Sequence, residues 1–219
     1  LPLESFGLDW VQPEVPLAHP FDGATAALLE RDLDRTADRL GEDGSMWRQR
    51  FGRFVEHWPT FIEHVLRSPF TIPSAPLLMA RFAPFALRST PGLAKTFRGE
   101  AARALLAGNA AHAGTPLTHA VTGAVGATLI VAAHAVGWPF PRGGAGRLTQ
   151  ALAQYFESLG GTIETDRPIQ TLAELPRTRA TLLAITHGQV AALQASGLPD
   201  YYRNRLARWR YGPGAFKVD

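Results

Sequence analysis

Gly143, Gly144, Ala145 and Gly146 stand between Arg142 and Arg147, just ahead of a stretch with helical spacing. Glycines before a helix N-terminus leave amide N–H groups free to meet an anion, so this run reads either as an anion-binding loop or as a tight structural turn. It is not the dinucleotide fingerprint, which needs G-x-G-x-x-G directly after a strand. Here Pro139 and Pro141 come before the glycines, and Arg147, Leu148 and Thr149 follow them. No Walker loop, no G-x-S-x-G elbow and no H-E-x-x-H occurs in the chain.

Seven histidines are present, and no two of them stand four apart as a helical metal pair would. His57 and His64, seven apart, do not complete a ligand set, so no metal site is read and no residue is assigned as a catalytic acid or base. Cysteine is absent, which removes thiolate nucleophiles, disulfides and cysteine-held metals together. That absence fits a reducing, cytoplasmic setting, and Leu1 to Phe6 lack the basic start and apolar run of a secretory signal. Arg203, Arg205, Arg208 and Arg210 alternate with Tyr201, Tyr202, Trp209 and Tyr211. Such a cluster could stack and neutralise a single strand, or it could be a solvated helix face with aromatic anchors. The net charge is only +3, with 22 basic and 19 acidic residues. The second reading is preferred, and no nucleic-acid partner is expected.

These residues need elements to position them, and 219 residues with 46% hydrophobic and 19% charged composition can bury a sizeable core. Residues 1–22 are proline-rich and extended. Asp22-Gly23 between Leu17–Phe21 and Ala26–Glu30 predicts a tight β-hairpin with both central residues at positive φ. Leu33, Ala37 and Leu40 predict a helix that Gly41 ends. Ser45 is read as the cap of a longer helix striped by Trp47, Phe51, Phe54, Val55, Trp58, Ile62, Val65 and Leu66, kinked at Pro59. Residues 68–92 read as short helical turns between proline corners. Their apolar side chains are either plain core or a cavity wall for a greasy ligand.

Val121–Trp138 is apolar but short of the roughly 20 residues a membrane span needs, and predicts a buried helix whose small residues admit another backbone or a flat ligand. After the glycine turn comes an amphipathic helix with Leu148, Leu152, Tyr155, Phe156 and Leu159 on one face, stopped by Gly160-Gly161. Strands are predicted at 162–165, 168–172 and 180–185, the last of them as a buried parallel strand, and 211–219 reads as a turn entering a further strand. The fold class is therefore α+β: mainly helical over 1–138 with a small β-hairpin, then an α/β segment over 139–196, with 197–219 returning to the first part.

The order of these features resembles the FAD-dependent phytoene dehydrogenase-like oxidoreductases, the carotenoid desaturase branch of the amine-oxidase-type flavoproteins. The resemblance spans nearly the whole chain. It rests on PLAHPFDG at 16–23, LLAGNAAH at 105–112, GWPFPRGGAGRL at 137–148, LGGTIET at 159–165 and YGPGAFKV at 211–218. It implies a helical substrate domain, an incomplete FAD domain at 139–196, and hydride transfer with an apolar, unsaturated small molecule. FAD carries that chemistry, while the protein positions the substrate and excludes water. By position, Pro168 and Ile169 match the segment whose backbone meets the adenine. Phe82, Phe85, Trp138, Phe140, Gly143 and Gly144 would then lie on the substrate side.

Phe70, Leu77, Leu78 and Met79 join those aromatics in an expected apolar concavity. The family's N-terminal G-x-G-x-x-G unit and its C-terminal flavin-contacting segment are missing from this sequence, so the chain reads as an internal fragment that does not retain FAD by itself. The resemblance also allows peripheral contact with a membrane. A non-catalytic module binding a lipid or isoprenoid is the alternative.

Overall fold

The structure, a computed structural model, describes residues 1–23, 25–68, 71–193 and 197–215. Phe70, and residues 216–219 of the turn into a strand expected over 211–219, lie outside those residues. The fold is α+β, 53% helical, with two small antiparallel sheets. It divides into two compact units, Leu1–Tyr155 and Phe156–Asp219. That division falls later than the shift in composition at Pro139.

In the first unit, strand β1 (Trp10–Val11) precedes the predicted hairpin, formed by β2 (Leu17–Pro20) and β3 (Ala26–Leu29). Leu17 pairs with Leu29 and Pro20 with Ala26. The turn is wider than a two-residue one: the Phe21 N–H donates to Thr25 O at 2.8 Å, and Gly23 alone of the Asp-Gly pair has positive φ, +93°.

Helix α1 (Leu33–Arg39) starts where the Asp32 carboxylate accepts the N–H groups of Asp34 and Arg35, and the chain leaves it through Gly41 at φ +57°. Helix α2 (Gly44–Glu56) follows at once. Ser45 does not cap it. The start falls on Gly44, where a Cβ would stand 2.2 Å from the Ala37 carbonyl oxygen. The preceding Asp43 is buried and turns its carboxylate to the N–H groups of Arg98 and Gly99.

The expected single kinked helix is two. His57 breaks the chain, and α3 (Trp58–Leu66) begins anew with Pro59 in its first turn, where no intrahelical N–H is needed. Helix α4 (Pro76–Leu87) is longer than the expected proline-cornered turns and carries Pro84 inside it. Pro84 and Ala80 are both exposed, so the carbonyl that loses its partner faces water. Helices α5 (Thr90–Ala94), α6 (Glu100–Ala111) and α7 (Thr122–Ala135) complete this part.

Helix α7 is the buried helix expected from Val121–Trp138, and it packs on α2, α4 and α6. Its small residues admit backbone: at Gly126 a Cβ would come within 3.0 Å of both the Leu106 carbonyl oxygen and the Ala110 Cβ of α6. Around it Trp47, Phe51, Phe54, Phe61, Phe82 and Phe85 pack ring against ring, with centroids 4.6 Å apart for Trp47–Phe51 and 4.9 Å for Phe61–Phe82. No helix of the described residues is long and apolar enough to cross a membrane.

Strand β4 (Phe140–Pro141) pairs antiparallel with β1, Val11 opposite Phe140, and leads into α8 (Gly146–Ser158). The double glycine ends α8 as predicted, at the start of the second unit. Gly160, at φ +86°, donates to Glu157 O and Gly161 to Phe156 O, closing a Schellman motif.

Beyond it the expected strands at 162–165, 168–172 and 180–185 do not form. Leu182 is 89% exposed and Ile185 44%. A strand exists only against a partner, and among the described residues no strand lies beside these runs. Short helices α9 (His187–Ala192) and α10 (Asp200–Ala207) pack on each other instead. Residues 197–219 were expected to return to the first part. They belong to the second unit, where Trp209 stacks on His187 at 4.1 Å and the Tyr211 hydroxyl accepts the Gly188 N–H.

One imidazole stands in the buried surface of α7. His134 Nε2 accepts the Trp47 indole N–H at 3.1 Å and its Nδ1–H donates to Arg31 O at 3.2 Å, which fixes the neutral tautomer. Burial holds its pKa below the ordinary value. A folded-state pKa below the unfolded value of about 6.5 gives stability that is present above that pH and is lost as pH falls from there through the folded pKa. Thermal denaturation of wild type and His134→Gln between about pH 8 and about pH 5 tests this. The variant loses about 1–3 kcal/mol at the upper pH, where the Trp47 donor is poorly met, and declines less steeply on acidification. Parallel pH slopes for the two proteins would refute the assignment.

Candidate functional site

The glycine turn is held by the β1–β4 ribbon. The Arg142 N–H donates to Asp9 O at 2.8 Å, and its side chain forms an ion pair with the Asp9 carboxylate at 2.5 Å. Upstream, Gly137 lies at φ +75° against Gln12, whose side-chain amide donates to Val136 O at 2.9 Å. The chain then turns through Gly143 and Gly144 at φ +82° and +92°, a region that L side chains seldom adopt. Gly144 donates to Pro141 O, and no atom stands within 4 Å of where a Cβ on Gly144 or Gly146 would be. The turn presents bare backbone at Gly144 and Gly146, while the Arg147 side chain lies 3.4 Å from where a Cβ on Gly143 would be.

Phe140, half exposed, stands at the edge of this turn. Trp138 packs against the core and meets the His112 ring edge-on at 6.3 Å. Phe82 and Phe85 lie elsewhere, in the aromatic core between α2, α3 and α4. Leu78 is buried with them, Met79 is partly buried against them, and Leu77 is 80% exposed. The expected common wall is thus divided: the structure does not gather Phe82 and Phe85 with Phe140, and Phe70 lies outside the described residues. Phe85 also lines a concavity on the outer side of α2 and α4.

Pro168 and Ile169 lie in the second unit on extended chain, the first exposed and the second half-buried. Neither the N–H nor the C=O of Ile169 has a hydrogen-bond partner among the described residues. Such a free pair suits the edge of an adenine, and the bare glycine turn suits a flat ring. Strand β4, the glycine turn and α8 follow one another, but β4 is a two-residue strand paired antiparallel with β1, and no parallel βαβ unit of the kind that cradles a pyrophosphate is found among the described residues.

A pair of imidazoles went unnoticed in the sequence. His19 of β2 lies over Gly108 of α6 so closely that a Cβ there would fall 2.1 Å from the ring. Its Nε2 is buried without a partner. Burial, and then the charge of His112, hold its pKa below the ordinary value, so it stays a neutral acceptor at neutral pH. The two residues are 93 positions apart, and only the packing of the hairpin on α6 joins them. Among the described residues no three of His, Cys, Asp and Glu come together as a metal group. In the basic cluster of the second unit Trp209 is engaged by His187, and Tyr211 by Gly188.

The chain matches no protein-family model, no curated protein and no solved structure.

Substituting His112→Ala removes the like charge felt by His19. In an NMR titration of the imidazole resonances the His19 pKa then moves up toward about 6.5. A midpoint that does not move would show burial acting alone.

Proposed function

We propose that this chain is the substrate-side part of a FAD-dependent oxidoreductase of the phytoene dehydrogenase kind, exchanging hydride with an apolar, unsaturated small molecule. One stretch carries the reading, the run from Gly137 to Thr165. Its paired glycines at positive φ, their open backbone, the helix that follows and the Gly160-Gly161 stop make up the feature on which the resemblance is most specific. A second observation supports it: the runs at 16–23 and 105–112, which also carry the resemblance, meet in space where His19 covers Gly108.

On this reading the open backbone at Gly144 admits a flat ring by close approach, and the resemblance by itself assigns Pro168 and Ile169 a contact with an adenine. FAD, when bound, supplies the hydride acceptor or donor. Trp138 and Phe140 supply apolar surface beside the turn and keep water from it. The Asp9–Arg142 pair holds the ribbon and takes no part in proton transfer.

The test compares the 219-residue chain with the whole gene product. Purified alone and dialysed, the chain is expected to be colourless, whereas the whole protein shows a flavin absorption band that dithionite bleaches. Gly144→Val in the whole protein places a β-branched residue at φ +92° and lowers flavin retention. A whole protein that takes up no flavin, yet still binds an apolar ligand, would sink the oxidoreductase reading in favour of a non-catalytic lipid-binding module.

A further inference from the structure

On the outer side of α2 and α4 lies a concavity of about 620 Å³. Met46, Phe54, Pro84 and Phe85 make its apolar lining, and Arg50, Arg53 and Arg81 bring three guanidinium groups to it. Other arginines of this unit have carboxylate partners: Arg35 and Arg39 on Glu30, Arg48 on Asp34 and Asp38, Arg67 on Glu63. No acidic side chain of the described residues pairs with Arg50, Arg53 or Arg81, nor with Arg88, which is close enough for its charge to bear on Arg50.

The sequence explains the shortage. No Asp or Glu occurs between Asp43 and Glu56, or between Glu63 and Glu100. Arg50 also holds a buried Nε–H without an acceptor, and its guanidinium carbon lies 5.9 Å from the centre of the Phe85 ring. Several like charges gathered on an apolar surface without carboxylate partners cost free energy that an incoming anion would relieve.

We propose that this concavity binds the phosphate monoester head of an amphiphile, its oxygens taken by Arg50, Arg53 and Arg81 and its hydrocarbon chain laid over Phe54, Pro84 and Phe85. Phosphate suits the site better than carboxylate because a monoester carries about two negative charges at neutral pH against three cations, and its oxygens match the guanidinium fork. An aliphatic tail is called for because the lining is apolar, and because Leu77, one turn before Arg81 on the same exposed stripe of α4, continues that surface outward. This inference stands apart from the oxidoreductase reading and needs no flavin.

Isothermal titration of the 219-residue chain with dodecyl phosphate below its micellar concentration, with inorganic phosphate and with dodecanol tests it. Sedimentation with phosphatidylcholine vesicles, with and without phosphatidic acid, distinguishes a free amphiphile from a bilayer lipid as the source of the head group. Dodecyl phosphate is expected to bind at least about tenfold more tightly than either partial ligand, and Arg53→Gln and Arg81→Gln each to weaken it about tenfold. Both arginines are exposed, so circular dichroism and melting temperature stay unchanged, and Arg50→Gln adds a third reading where it folds. Binding confined to vesicles that contain phosphatidic acid, and lost in Arg81→Gln, also upholds the site and assigns it to lipid. Equal binding by wild type and the folded Arg53→Gln/Arg81→Gln variant would overturn the proposal. So would dodecanol or inorganic phosphate matching dodecyl phosphate, or vesicle binding indifferent to phosphatidic acid.

Discussion

Helix α7 is packed by α2, α4 and α6, and a helix enclosed in this way can carry neither bulk nor an unpaired polar group. Gly123 and Gly126 meet the first demand, since a side chain at either would run into the backbone of the α4–α5 segment or of α6. His134 meets the second, because both ring nitrogens are bound. That one ring ties three parts of the chain together: the indole of α2, the carbonyl at Arg31 that precedes α1, and α7 itself. The aromatic cluster can close over α7 because Trp47 is fixed in this way, and the hairpin and α1 are placed by the same link. Acid weighs on position 134 as well, since a proton added to Nε2 would displace the indole N–H it accepts.

Charge in the first unit follows a consistent division. On the side of α1, carboxylates and guanidiniums are matched: buried Glu30 lies between Arg35 and Arg39, its backbone N–H donates to the Thr36 hydroxyl, and Asp43 caps the approach to α6. A buried carboxylate in this position is tolerable because it has two cationic partners. On the side of α2 that faces away from the core, with α4, the acids run out. Both faces are built from ordinary amphipathic helices, so the difference is not one of fold. It reflects which residues the solvent-facing positions were given, and such positions are free to serve binding where packing makes no demand of them.

The sequence was most legible where structure is decided locally. The hairpin at 17–29, α1, the buried helix after Val121 and the Gly160-Gly161 stop all follow from neighbours within a few residues. Partners far along the chain were not legible. Strand β4 exists because Trp10–Val11 lies beside it, and the expected strands at 162–165, 168–172 and 180–185 fail because no strand lies beside them. Apolar β-branched runs state a capacity to pair; the ladder itself needs a second chain segment. Ser45 was misread for a different reason, a steric one, since the helix start was fixed by Ala37 pressing on Gly44. At the site the glycine turn was visible, being contiguous, while the expected wall of aromatics was not a wall, because Phe82 and Phe85 pack with the aromatic rings of α2 and α3.

The arginines on α2 and α4 show what signal would have revealed more. A whole-chain balance of 22 basic and 19 acidic residues conceals them, but counting acids by segment exposes two long acid-free stretches that happen to form adjoining helices. Arginine rather than lysine is what allows the grouping to persist. Only Lys95 and Lys217 are lysines, and a guanidinium gives up hydration more readily than an ammonium and can sit over a ring, as Arg50 does over Phe85 at 5.9 Å from the ring centre. A lysine at position 50 would have to extend its charge into water past the same ring. The planar group stays at the apolar surface with its Nε–H inward, and that is the arrangement in which a cation remains close enough to hydrocarbon to hold the head of a molecule whose tail lies there.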